Sequence, residues 1–272
     1  MKYYTSRDEA DNAWANAAYI PDANSFLERW ASEASAFRET LLSQGRAKLD
    51  QPYGDRERQA YDLFLPEGSA KGLLVFIHGG YWIRFDRSYW SHFAKGANDN
   101  GWAVAMPSYD LCPAVGIPEI TAQVTRAIET IASQNPDLPL IITGHSAGGH
   151  LTARMLEPGR FAPETEVRVT RAIPISPVTD LRPIRETSMN VDFKLDEATA
   201  IAESPALGQN RLDIPVTVWV GANERPVFLE QAKILADKWA CDHVVDEGKH
   251  HFDVIDGLRE ADSALTKTVL GL

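Results

Sequence analysis

The 272-residue sequence predicts an α/β protein: a mostly parallel central sheet with helices on both faces. Three observations carry that expectation. Short, continuously apolar runs bounded by glycine or proline recur along the chain, as doubly buried parallel strands require. Segments with helical periodicity fall between them. No Pro/Gly/Ser-rich linker interrupts the alternation, so residues 1–272 are expected to form a single domain.

Residues 1–55 read as a helical N-terminal arm. Ala10–Ala18 is rich in Ala and Asn and is broken at Pro21. Ser25–Leu42 sets Phe26, Leu27, Trp30, Ala34, Phe37 and Leu41 on one helical face, and Gly45 and the Pro52–Gly54 turn end the arm. Arg58–Leu65 alternates as an exposed strand would and is stopped by Pro66. Gly72–His78 is the first buried-strand run, and Trp102–Met106, Pro139–Thr143, Arg171–Ser176, Val216–Val220 and, more weakly, Asp242–Asp246 repeat it. Between them, Ile117–Ser133 carries Ile120, Val124, Ile128 and Ile131 at helical spacing, while Ser146–Leu156 and Pro226–Trp239 each follow a strand directly. The long irregular stretch 177–213 reads as a lid-like insertion.

Charge and composition exclude several functions. Lys plus Arg is 27 and Asp plus Glu is 38, a net charge of −11, with no basic patch. Such a surface repels phosphate backbones, so no nucleic-acid partner is expected. The N-terminus lacks the apolar core of a signal peptide, and no apolar run approaches the roughly 20 residues that span a bilayer. No membrane partner and a cytoplasmic location are therefore expected. Cys112 and Cys241 are too few for a disulfide framework and read as reduced thiols. No metal site is expected, because no H-E-x-x-H spacing occurs.

Gly144-His145-Ser146-Ala147-Gly148 matches G-x-S-x-G, between the apolar run ending at Thr143 and the helical pattern after Ala147. So sharp a strand-to-helix turn needs small flanks and forces its middle residue into strained dihedrals. It lifts the Ser146 hydroxyl to the C-terminal end of the sheet, where the first amides of the helix favour an anion. A hydroxyl becomes a useful nucleophile only when a base takes its proton. Candidate bases lie in the neighbouring pair His250-His251, just past the last strand, with His243 close by. Glu224 is the first acid after the penultimate strand and can orient an imidazole there, whereas Asp213 precedes that strand. His78-Gly79-Gly80-Tyr81-Trp82 follows the first buried strand; the Gly79 and Gly80 amides, with that of Ala147, can form an oxyanion hole. His78 reads as a brace for this loop, and Ser108-Tyr109-Asp110 can brace it too.

At these residues the sequence resembles the α/β-hydrolase superfamily, and within it kynurenine formamidase (arylformamidase) and related H-G-G-x-W esterases. His78–Trp82, Tyr109-Asp110-Leu111-Cys112-Pro113, Gly144–Gly148, Ser176–Leu181, Ser204-Pro205 and His251-Phe252 carry the resemblance, over roughly residues 73–258. It implies an α/β-hydrolase fold, Ser146 as nucleophile, His251 as base and Glu224 as acid, in the order Ser–acid–His. The family's acid is usually Asp, so Glu224 is a departure. The resemblance further implies a serine hydrolase needing no cofactor and acting on a small acyl substrate. An N-formyl aromatic amine of the N-formylkynurenine type leads, ahead of a short-chain ester or thioester and of a non-catalytic binding protein on the same fold. Homodimers are common among such enzymes. Tyr81, Trp82 and Tyr109, with Phe85 and Trp90, are candidates for an aromatic substrate wall, and Arg84 for meeting a substrate carboxylate.

Overall fold

A computed structural model describes residues 2–272. Its sheet has eight strands: β1 Ala47–Pro52, β2 Ala60–Phe64, β3 Leu73–Ile77, β4 Ala103–Pro107, β5 Leu140–His145, β6 Val169–Ile175, β7 Thr217–Gly221 and β8 Asp242–Asp246. Their order is β1-β2-β4-β3-β5-β6-β7-β8, with β1–β2 and β2–β4 antiparallel and every later pairing parallel. The helices are α1 Arg7–Trp14, α2 Ala23–Ser43, α3 Lys95–Asp99, α4 Ile117–Gln134, α5 Ala147–Arg154, α6 Pro163–Glu166, α7 Asn190–Phe193, α8 Glu197–Ala202, α9 Pro226–Trp239 and α10 Ala264–Leu270.

The apolar runs are strands because successive side chains enter two different cores. Leu73, Val75 and Ile77 of β3 face one side with Leu140 and Ile142 of β5, against α4, α5 and the start of α9. Leu74 and Phe76, with Ile141, face the other, against α2 and α10. A central strand buried on both faces has no polar alternation left to show. Each fully buried Leu, Ile or Phe contributes about 1.5–3 kcal/mol, so the two layers supply the main driving force for folding.

Three expectations need correction. Residues 47–52 form an edge strand and not the end of a helical arm. Its burial alternates half-buried and exposed, a pattern that polar Gln51 at a half-buried position and Pro52 at an exposed one obscure in sequence. β2, expected to be exposed, is buried throughout, because β1 and β4 flank it and Phe37 of α2 packs edge-on to Phe64. The first helix begins at Arg7, where the Ser6 side chain accepts from the Glu9 amide; it ends at Trp14, and a separate 3₁₀ turn follows at Ala17–Tyr19. Segment 177–213 holds α7, α8 and short 3₁₀ turns. Cys112 and Cys241 are both free thiols. Among the described residues no helix is long and apolar enough to cross a membrane.

Five histidines are buried, and four of them, His78, His92, His145 and His150, lie outside the Ser146–His251–Glu224 chain of side chains. Desolvation is the largest influence on each; it lowers His78 to about 4, His92 and His150 to about 3, and His145 well below the ordinary value. In the unfolded chain they titrate near the ordinary value of about 6.5. Above that pH neither state binds these protons. As pH falls below it the unfolded state gains protons that the folded state refuses. Stability is therefore expected to fall between about pH 6.5 and 4, by up to roughly 1.4 kcal/mol per pH unit for each histidine. Unfolding midpoints measured across that window check this; a flat profile contradicts it.

Candidate active site

All the candidate reactive groups hang from the C-terminal ends of β3, β5, β7 and β8, or from the loops leaving them. Between β5 and α5, Ser146 has φ 57° and ψ −115°, a region costly to a residue with a side chain. The turn is held by the Ser146 amide donating to Ile175 O at 2.9 Å and the His150 amide donating to Ser146 O at 2.9 Å. It passes so close to β3 that a Cβ on Gly148 would stand 1.9 Å from Ile77 O, which is why glycine occupies that position.

The loop after β8 brings His251 over this serine. His251 Nδ1 lies 2.5 Å from Glu224 Oε2, and Nε2 lies 3.0 Å from Ser146 Oγ. The carboxylate only accepts, so Nδ1 carries the proton and Nε2 is left to receive that of Ser146. An imidazole placed in this way can take a hydroxyl proton while the carboxylate steadies the cation formed. Phe228 and His145 pack beside the ring, with centroids at 4.2 Å and 4.7 Å. His250 turns away: its Nδ1 accepts from the Phe252 amide at 3.1 Å, and its ring meets the edge of Phe26. His243 lies exposed on β8.

Glu224 is buried, and its Oε1 accepts from the Gly221 amide at 2.9 Å and from Ser176 Oγ at 2.5 Å. Sequence reading missed Ser176 in this role. The available signal was its position at the end of β6, beside the strand from whose end Glu224 departs. Ser176→Ala is expected to leave the carboxylate less firmly aimed and lower kcat about tenfold with little change in KM. Steady-state kinetics on one acyl substrate check it, and an unchanged kcat contradicts it.

The Gly79, Gly80 and Ala147 amides donate to no acceptor among the described residues, and so remain free for a ligand. Their loop is strained: φ is +113° at Gly80, +51° at Tyr81, +57° at Trp82 and +67° at Phe85. Left-handed backbone costs the three non-glycine residues roughly 1–3 kcal/mol each, so the surroundings must hold it. They do. Tyr109 Oη donates to His78 O at 2.9 Å with the two rings stacked 4.3 Å apart, and His78 Nδ1 donates to Gly79 O at 2.7 Å. Arg58 Nε donates to Tyr109 O at 2.8 Å and its Nη2 donates to Phe85 O at 2.5 Å.

A cavity of about 390 Å³ opens above Ser146. Its lining combines Trp14, Asn16, Leu27 and Trp30 of the N-terminal segment with Tyr81, Phe85, Trp90, His145 and Phe252 from the strand ends and loops of the sheet. Arg84 lines its mouth, exposed and free of side-chain partners among the described residues. Two expected wall residues are corrected. Trp82 is fully buried behind the loop, edge-on to His150 and Phe193, and Tyr109 is buried as the brace of His78. Neither lines the cavity. The walls supplied by the N-terminal helices were not foreseen, because apolar residues at helical spacing read equally as core.

With its fold and these groups in view, the chain can be placed among known proteins. Residues 74–239, more than half of its length, match the family described by the alpha/beta hydrolase fold. The chain belongs to the α/β-hydrolase family. It is related to kynurenine formamidases: it is 26 % identical to that of Danio rerio, with 97 % of this chain and 96 % of the relative covered. It is 29 % identical to that of Drosophila melanogaster, with 85 % and 83 % covered. A crystal structure from Silicibacter sp. TM1040, whose description proposes a thioesterase, superposes with a TM-score of 0.93 at 52 % identity, covering 96 % of this chain and 99 % of that one. Esterase 2 of Thermogutta terrifontis shares the fold, with a TM-score of 0.64 at 19 % identity over 83 % of this chain and 91 % of the other.

Proposed function

We propose that the protein is a serine hydrolase that transfers a small acyl group to water, with N-formyl aromatic amines as its leading substrate class. The observation that carries the mechanism is the unbroken hydrogen-bonded chain from Ser146 Oγ through His251 to Glu224. Ser146 attacks the acyl carbon while Nε2 of His251 takes its proton. The resulting oxyanion lies against the Gly79, Gly80 and Ala147 amides. His251 then returns the proton to the departing amine or alcohol, and the acyl-serine forms. Water, deprotonated by the same imidazole, attacks that acyl-serine and releases the acid and the free hydroxyl. No cofactor enters either half.

Two facts support a formamide. The formamidase relatives align over most of their own length and of this chain. The cavity is lined largely by aromatic and aliphatic side chains, which suits an aryl leaving group. Aryl amines are also far better leaving groups than alkyl amines. A thioester reading draws on the Silicibacter relative, whose description names that activity. One panel separates them: N-formylkynurenine, p-nitrophenyl acetate and an acyl thioester compared by kcat/KM. The formamide is expected to lead; negligible formamide turnover beside fast ester or thioester cleavage discards the formamidase assignment. A fluorophosphonate that labels the native protein but not Ser146→Ala supports the serine mechanism, and a protein that resists labelling favours a binding role.

A further inference from the structure

The loop that offers the Gly79 and Gly80 amides is braced on its inner side by the body of the fold. On its outer side the brace is different. Tyr81 Oη donates to Trp14 O at 2.5 Å and accepts from Asn16 Nδ2 at 3.0 Å. The arrangement has one reading. A carbonyl only accepts, so the single phenolic proton goes to Trp14 O. The Asn16 atom facing the same oxygen must therefore be its NH₂, and the amide orientation is fixed. Asn16 and Trp14 are buried, and both lie in the segment that walls the cavity. The same segment reaches the base: Trp14 packs edge-on to Phe228, 5.6 Å away, and Phe228 packs on His251. Residues 14–16 thus touch the supports of the amide donors and of the imidazole at once, from outside the sheet.

We infer that Asn16 and Tyr81 are positioning residues, a latch by which the N-terminal segment holds the strained Gly80–Trp82 backbone so that the Gly79 and Gly80 amides meet the oxyanion. The inference rests on the acyl-transfer reading above. Neither side chain is assigned contact with the reacting atoms. Without the latch, Tyr81 is expected to relax from its left-handed conformation and swing the preceding amides off their line. The donors remain present but are misaimed, so the effect falls short of deleting one outright, which costs 10²–10³ in rate.

The test uses the full chain with Tyr81→Phe, which keeps the ring and removes the hydroxyl, and Asn16→Leu, which keeps the bulk and removes the amide. Three quantities are read: the rate of fluorophosphonate labelling of Ser146, kcat and KM for p-nitrophenyl acetate, and the affinity for aniline as a non-reacting ligand. Labelling and kcat are expected to fall about tenfold in both variants, with KM and aniline affinity little changed. Variants labelled at the native rate overturn the latch and leave the serine mechanism standing. So does a loss confined to KM and aniline binding, which would make these residues cavity wall only. A native protein that is never labelled removes the acyl-transfer reading and the latch with it. Asn16→Leu lies outside the sheet and its strand ends, and it carries the test alone if Tyr81→Phe does not fold.

Discussion

Replacing Ser146 by alanine is expected to reduce kcat on any acyl substrate by at least about 10⁴-fold and to abolish fluorophosphonate labelling, while leaving the fold intact. In the proposed mechanism it is this hydroxyl that bonds to the acyl carbon: Ser146 lines the cavity, with Oγ 3.0 Å from the imidazole nitrogen. The free amides of Gly79, Gly80 and Ala147 stay in the variant, so a residual rate above the uncatalysed one is expected to persist. Alanine also relieves nothing essential, since the turn is held by main-chain bonds to Ile175 and His150. Circular dichroism and the unfolding midpoint should match the native protein, and affinity for a non-reacting ligand should survive. Substantial turnover by Ser146→Ala would mean that the chemistry lies elsewhere.

The second large effect is expected at Glu224. Glu224→Gln keeps the length of the side chain but can present an NH₂ to His251 Nδ1, which favours the tautomer with its proton on Nε2. That nitrogen can then no longer receive the proton of Ser146. Loss of orientation and charge of this kind costs about 10³–10⁴ in kcat. Glu224→Asp separates reach from charge. The shorter side chain keeps the carboxylate but withdraws it from Nδ1, now 2.5 Å away, and from Ser176 and Gly221. Its expected loss is smaller, roughly ten- to a hundredfold. Single-turnover rates for the two variants check this. Equal activity of Glu224→Gln and the native protein would remove Glu224 from the mechanism.

Much of this architecture was legible because burial on both faces writes itself into composition. Runs such as Leu73–Ile77 and Leu140–Ile142 can be little else, and each is followed by the glycines a tight turn needs. The order of Ser146, Glu224 and His251 along the chain is open to reading, and the resemblance picks His251 over His250; the structure brings these three side chains into contact. Physical reasons hid the rest. Strand β1 is polar on its open face and carries no apolar run. Ser176 looks like any serine at a strand end until Glu224 is known to sit beside it. Trp82 and Tyr109 are aromatic residues near a reactive loop, yet left-handed backbone at Trp82 turns that ring inward and a hydrogen bond to His78 O holds Tyr109 there. Burial direction in an irregular loop leaves no periodicity to read.

Of the seven tryptophans in the chain, Trp14, Trp30 and Trp90 border the cavity above Ser146. The protein therefore carries its own optical gauge: indole emission from these rings should dim when a nitroaromatic product settles among them, so that occupancy and release can be followed in real time without attaching a dye.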